Sequence, residues 1–179
     1  RNMLAGRSFV TPGPLLFFDA AGREPGSEIR ANGKPVPARV RLMSLAKPEK
    51  LEIIRGGDVA YSFPTDVPRG DDGIYRFDQV VEVPVDSTTY LAARVFVEPP
   101  DRTTVRFAHS GIVRVTVPGK PLLPRKFEVD HLLSRVESMI VEIKDGKLKA
   151  GDPAAALPEY ERALAVYQRL ASNVRDNPR

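Results

Sequence analysis

Two histidines, one arginine set in an apolar run and a few paired acids are the residues of this 179-residue chain that could do chemistry. His109 follows the strand-like Val105-Arg106-Phe107, and His131 lies early in a periodic stretch that begins near Arg125, so their spacing matches no metal-ligand motif. A strand-end imidazole serves most simply as a hydrogen-bonding group, and His131, beside Leu132, is expected to face outward. Arg94 sits among Ala92, Ala93, Val95 and Phe96. An arginine there either lies outward across a sheet, with its stem on apolar surface, or meets a ligand. Arg94 and His109 are therefore the candidate ligand-binding residues; no catalytic residue and no metal ligand is assigned. Asp71-Asp72, and Asp145 with Asp152, are the acid pairs that proton transfer would need, yet each lies in glycine-rich turn sequence, where solvated turn acids are the simpler account. The serines Ser8, Ser44, Ser62, Ser87 and Ser110 form no Gly-x-Ser-x-Gly elbow. His109 and Ser110 are neighbours on an extended chain and point apart. No glycine loop that could cradle phosphate precedes a helix.

The elements that must position these residues run from Asp71 to Val117. Tyr75, Phe77, Val81, Val83 and Val85 alternate with Arg76, Asp78, Glu82 and Asp86, and Leu91, Ala93, Val95 and Val97 alternate with Tyr90, Arg94 and Glu98. Period-two alternation is the mark of half-buried strands, and these two are expected to be antiparallel neighbours. Val105 to Phe107 and Ile112 to Val117 follow, hinged at Ser110-Gly111. Upstream, Asn2 to Gly6 resembles the last turn of a helix closed by glycine, and Arg7 to Thr11 reads as a strand. Leu15 to Phe18 is wholly apolar and is expected to be covered on both faces. Asn32-Gly33 predicts a tight hairpin. Val36 to Leu45 alternates Ala38, Val40 and Leu42 with Arg39, Arg41 and Met43. Lys50 to Ile54 and Val59 to Phe63 flank Gly56-Gly57, the clearest hairpin signal in the chain, and Pro64 to Gly73 is expected to be a surface loop. About eight strands at short spacing predict a sandwich.

After Pro118-Gly119-Lys120-Pro121 the apolar period lengthens. Val129, Leu132, Leu133, Val136, Met139, Ile140 and Ile143 make one helical stripe, stopped at Lys144-Asp145-Gly146. A second stripe carries Leu157, Tyr160, Leu164, Tyr167, Ala171 and Val174. Asp152-Pro153 is a good cap and first-turn proline, but Pro158 would then fall inside the helix at about 3 kcal/mol, so a start near Pro158 is expected. The pair resembles a single tetratricopeptide unit, and without a repeat it reads as an ordinary helical hairpin.

The hydrophobic fraction of 42% with 28% charged residues is that of a globular protein, and seventeen prolines against thirteen glycines favour many short segments. The net charge of +4 is scattered, without the basic stripe of a nucleic-acid reader, so nucleic acid is not an expected partner. No apolar run reaches the length of a membrane span, and no membrane partner is expected. The absence of Cys removes disulfides, Cys zinc sites and Cys nucleophiles. The chain opens at Arg1 and reads as a processed product or a fragment of a longer polypeptide; its compartment, exported or cytoplasmic, stays open.

Several stretches resemble a known family. Leu4-Ala5-Gly6-Arg7-Ser8-Phe9-Val10-Thr11-Pro12-Gly13-Pro14-Leu15-Leu16 resembles the segment that follows the catalytic domain in metallohydrolases of the polymerase-and-histidinol-phosphatase (PHP) type, in the carbaryl-hydrolase-like group. Tyr90-Leu91-Ala92-Ala93-Arg94-Val95-Phe96 is similar to that group's Trp-Ile-Ala-Ala-Arg segment, and Val105 to Val113 to its Ala-His-Thr-Ser-Pro-Val-Tyr-Val segment. Lys50 to Val59 resembles its strand, glycine turn, strand passage. One departure is that Ser110-Gly111-Ile112 stands where the family has Thr-Ser-Pro. The resemblance implies a C-terminal β module rather than the catalytic part, because neither the family's His-x-His motif nor its Asp-x-His motif occurs here. Its divalent metals would lie in an upstream domain of the same polypeptide, and none in this chain.

The expected architecture is mainly β with C-terminal α: an immunoglobulin-like antiparallel β-sandwich plus a helical hairpin. Residues 1–18 would be the tail of the upstream catalytic domain with linking strands, 19–121 the sandwich, and 122–179 the hairpin packed on it. The expected role is a non-catalytic accessory domain, structural or interacting, with the upstream domain as its partner and a homo-oligomer left open. The competing reading is an independent carbohydrate- or protein-binding module, which exposed aromatics along one sheet face would favour. A third, an enzyme complete in itself, is the weakest.

Overall fold

The computed structural model describes residues 2–101, 104–147 and 151–176. It is mainly β, with strands β1 (Leu15–Ala20), β2 (Glu28–Arg30), β3 (Val36–Ser44), β4 (Pro48–Arg55), β5 (Asp58–Phe63), β6 (Tyr75–Val83), β7 (Thr89–Val97), β8 (Arg106–His109) and β9 (Val113–Thr116). Helices α1 (Lys126–Lys144) and α2 (Pro153–Ala171) follow. The chain divides into two compact units, Arg1–Leu122 and Leu123–Arg179.

The first unit is a sandwich of a three-stranded sheet, β1-β3-β6, and a six-stranded sheet in which β2-β9-β7-β4-β5 are successive neighbours and β8 also pairs with β7. The alternation seen in the sequence sets the inner faces. Leu16, Phe18, Val40 and Leu42 of the small sheet and Leu51, Ile53, Leu91, Val95, Val113 and Val115 of the large one share one core. The Phe63 and Phe77 rings, one from each sheet, meet edge to face at 5.1 Å, a geometry that the ring quadrupoles favour. Strand β7 is the axis of the large sheet. It pairs with β4 along one edge, and along the other with β9 through Thr89–Leu91 and with β8 through Arg94–Val97.

Several expectations need correction. The strand from Tyr75 and the strand from Thr89 are not neighbours: β6 pairs with β3 in the small sheet, and β7 lies in the large one. The link through Pro84 to Thr88 carries the chain between sheets. It is anchored by the Arg55 guanidinium on the Pro84 carbonyl and by Thr88, whose N–H donates to the Lys120 carbonyl. Arg7 to Thr11 is not a strand; only Val10 pairs, with His109. Leu15 to Phe18 is not covered on both faces. β1 is an edge strand on which Leu15 and Phe17 are 43% and 42% exposed, and the Arg41 guanidinium lies over the Phe17 ring, 5.4 Å from its centroid. Asn32-Gly33 makes no hairpin, because β2 runs parallel to β9 in one sheet while β3 belongs to the other. The Gly56-Gly57 hairpin forms as expected between β4 and β5, with both glycines at positive φ.

In the second unit, helix α2 starts at Pro153, not near Pro158. The Asp152 carboxylate accepts the N–H groups of Ala154 and Ala155 and Pro153 fits the first turn, which together fix the earlier start. Pro158 removes one bond to Ala154, which is exposed, so water can serve that carbonyl. The start of α1 lies beside the segment after α2, where Arg125 bridges Arg175, so the two helices form an antiparallel hairpin. Gly146, at φ 68, ends α1 as the sequence predicts.

Candidate functional site

Strand register brings the two candidate residues together. Arg94 of β7 lies directly across from His109 of β8 on one side and from Glu52 of β4 on the other. Because Val95 pairs with Ala108 on the core side, this row of three sits on the outward face of the large sheet. The Arg94 Nε–H donates to Glu52 Oε2 at 2.6 Å, with side chains 35% and 13% exposed respectively. The guanidinium lies over the Phe96 ring, 5.7 Å from its centroid, a cation–π contact. Phe96 in turn stands opposite Phe107, ring centroids 6.3 Å apart. An aromatic row thus runs beside the charged row on the same face. Arg94 is the arginine laid across a sheet, and its partner Glu52, 42 residues away in sequence, is the residue that sequence reasoning missed. The only signal was the alternation of Lys50, Leu51, Glu52 and Ile53, which turns Glu52 outward.

His109 ends β8 as a ladder residue. Its N–H donates to the Val10 carbonyl at 2.9 Å and the Val10 N–H donates back at 3.0 Å. Its Nδ1–H donates to the Ser110 carbonyl at 2.7 Å, which assigns the other ring nitrogen, Nε2, as the one turned to other partners. Ser110 does structural work. Its hydroxyl accepts the Ala93 N–H at 2.9 Å in place of a ladder carbonyl, and donates to the Gly111 carbonyl at 2.8 Å. That substitution is what lets one sheet edge change from β8 to β9 without leaving the fully buried Ala93 donor unpaired. Gly111 then passes so close to the N-terminal segment that a Cβ would lie 2.5 Å from the Gly6 carbonyl oxygen and 2.9 Å from that of Ser8.

Three of the four paired acids, Asp72, Asp145 and Asp152, are spent on structure. Asp72 takes a two-point contact from Arg76, at 2.9 and 2.6 Å, and the Ile74 N–H. The Arg76 hydrogen bond, helped by Ile74, lowers its pKa to about 2. Asp145 follows the end of α1 and holds Lys147 at 2.8 Å, and Asp152 caps α2. His131 is exposed on α1, as the sequence predicts. Among the described residues no three His, Asp or Glu side chains gather as a metal centre would require. A second feature runs beside β1: a cleft of about 410 Å³ lined by Arg7, Phe9, Phe17, Asp19, Glu24 and Arg41, among others. Sequence reasoning did not reach it, since it joins the N-terminal segment to a strand of the small sheet.

The chemistry of the outward row is that of hydrogen bonding. An arginine held by one carboxylate and one ring still offers N–H groups, and the imidazole beside it, with Nδ1–H given to the Ser110 carbonyl, offers Nε2 as an acceptor. No protein-family model matches this chain, and no curated protein matches it either.

Proposed function

We propose that this chain is a non-catalytic C-terminal accessory module, immunoglobulin-like in general form, of a PHP-type metal-dependent hydrolase, and that it acts through the outward face of its large sheet. What supports the reading is where the resembling stretches fall. Val10 pairs with β8, β8 with β7, β7 with β4, and β4 with β5. Three of the four stretches that carry the resemblance are therefore hydrogen-bonded neighbours in the large sheet, and each supplies one member of the Glu52, Arg94 and His109 row; the fourth meets that sheet through Val10 alone and enters the small sheet at Leu15–Leu16. Divalent metal and the hydrolytic step belong, on this reading, to the upstream domain; this chain orders or covers one side of it, or mediates assembly. The test is the coding sequence upstream of Arg1. It should carry a His-x-His motif within alternating strands and helices, and a stretch lacking both rejects the reading.

A second reading has an observation of its own. Phe96 and Phe107 stand side by side next to Arg94 on the outward face, and aromatic faces flanked by hydrogen-bonding groups suit sugar rings and protein hot spots alike. On this reading the module binds a carbohydrate or protein by itself. Glycan binding by the isolated chain that is abolished in Phe96→Ala would favour it over the accessory role.

A further inference from the structure

At one end of the sandwich lies an open pocket of about 240 Å³, lined mainly by Pro14, Leu15, Met43, Leu45, Ile74 and Val97. One charged side chain lines it, Arg106. Its position is unusual for an arginine. Arg106 pairs across the ladder with Val97, which is 2% exposed, so it stands on the inward face of β8 with Ala108, opposite in sense to Phe107 and His109. It is only half-exposed, the pocket lining contains no carboxylate, and among the described residues no ion pair forms to it. Among the described residues no carboxylate neutralises this guanidinium, so its N–H groups remain available to an anion. An apolar pocket with one convergent polar group is also the usual form of a small-ligand site.

We infer that this end pocket binds a small aliphatic carboxylate, its hydrocarbon tail against Leu15, Met43, Ile74 and Val97 and its carboxylate on Arg106. The charge selects the class. A guanidinium offers two parallel N–H groups that match a carboxylate, and both the pairing and the burial of the tail strengthen as water leaves the pocket. The inference is independent of the accessory role, because the pocket lies at one end of the sandwich and shares no lining residue with the Glu52, Arg94 and His109 row.

The experiment is a calorimetric titration of the full chain with hexanoate, octanoate and octanol, with amide and methionine-methyl NMR shifts locating the site. Octanoate should bind about fourfold more tightly than hexanoate for each added methylene. It should bind at least about tenfold more tightly than octanol, which has the tail but not the charge. Shifts should centre on Leu15, Met43 and Val97. Arg106→Met should abolish the preference for octanoate over octanol, and Arg106→Lys should keep part of it. Equal affinity for octanoate and octanol in the unaltered chain, shifts centred elsewhere, or no saturable octanoate binding at millimolar concentration would each overturn the inference, whatever the variants do.

Discussion

Ser110 and Arg94 show how single side chains hold the outward row in place. Ser110→Ala removes the acceptor of the Ala93 N–H, in a residue with no exposure at all, and should cost about 1–3 kcal/mol in urea unfolding, the penalty of a buried unpaired donor. An unchanged urea midpoint would mean that another group takes that N–H. Arg94→Ala should cost about 1–2 kcal/mol, between the values for surface and buried pairs, because Glu52 is the more buried partner and is left without its cation. Adding Glu52→Gln should recover part of that loss, and a strictly additive double mutant would deny the coupling. At Gly111 the constraint is space. Gly111→Ala drives a methyl group into the Gly6 and Ser8 carbonyls, backbone atoms with no rotamer to yield, and should destabilise by about 1–3 kcal/mol.

At the scale of elements, the legible features were those with a local cause. Alternation placed Ala38, Val40 and Leu42 inward and Arg39, Arg41 and Met43 outward along β3, and Gly56-Gly57 closed the β4–β5 hairpin, because both signals are written within a few residues. Partner choice was not legible. Nothing local to Tyr75–Val83 says that it pairs with β3 instead of β7, or that Glu28–Arg30 runs parallel to β9, since those pairings depend on which sheet each link carries the chain to. The site followed the same rule: Arg94 and His109 stood out by type and position, and Glu52 became visible only when the register set it beside Arg94. Helix α2 records a contest of local terms. Cap and first-turn proline at Asp152-Pro153 prevail over an interior Pro158. Asp152→Ala should therefore reduce stability by about 1 kcal/mol. Pro158→Ala, by contrast, should raise helicity and stabilise by up to about 3 kcal/mol. Circular dichroism at 222 nm during thermal unfolding reads both, and a loss of helicity in Pro158→Ala would mean that the proline shapes the hairpin.

At the scale of the whole molecule, the exposed ion pairs predict a sensitivity to acid. Asp72 is lowered from 3.8 to about 2 by Arg76 and the Ile74 N–H. Asp78 is lowered chiefly by its hydrogen bonds from Arg39, and Glu128 chiefly by Arg125. Groups whose folded pKa is depressed add stability above their unfolded values and lose it as pH falls through the folded ones. Urea midpoints should thus hold steady above the ordinary Glu value of 4.5 and fall from there towards about pH 2; a midpoint that rises on acidification would contradict these pairings. The architecture itself, two sheets around one core with a helical hairpin following, supports the view of a scaffold whose outward face binds. The accessory-module proposal meets its most direct test when bound divalent metal and ester hydrolysis are measured in this chain and in any portion encoded upstream of it. The account predicts that both go with the upstream portion; stoichiometric metal together with ester turnover in this chain alone would contradict it.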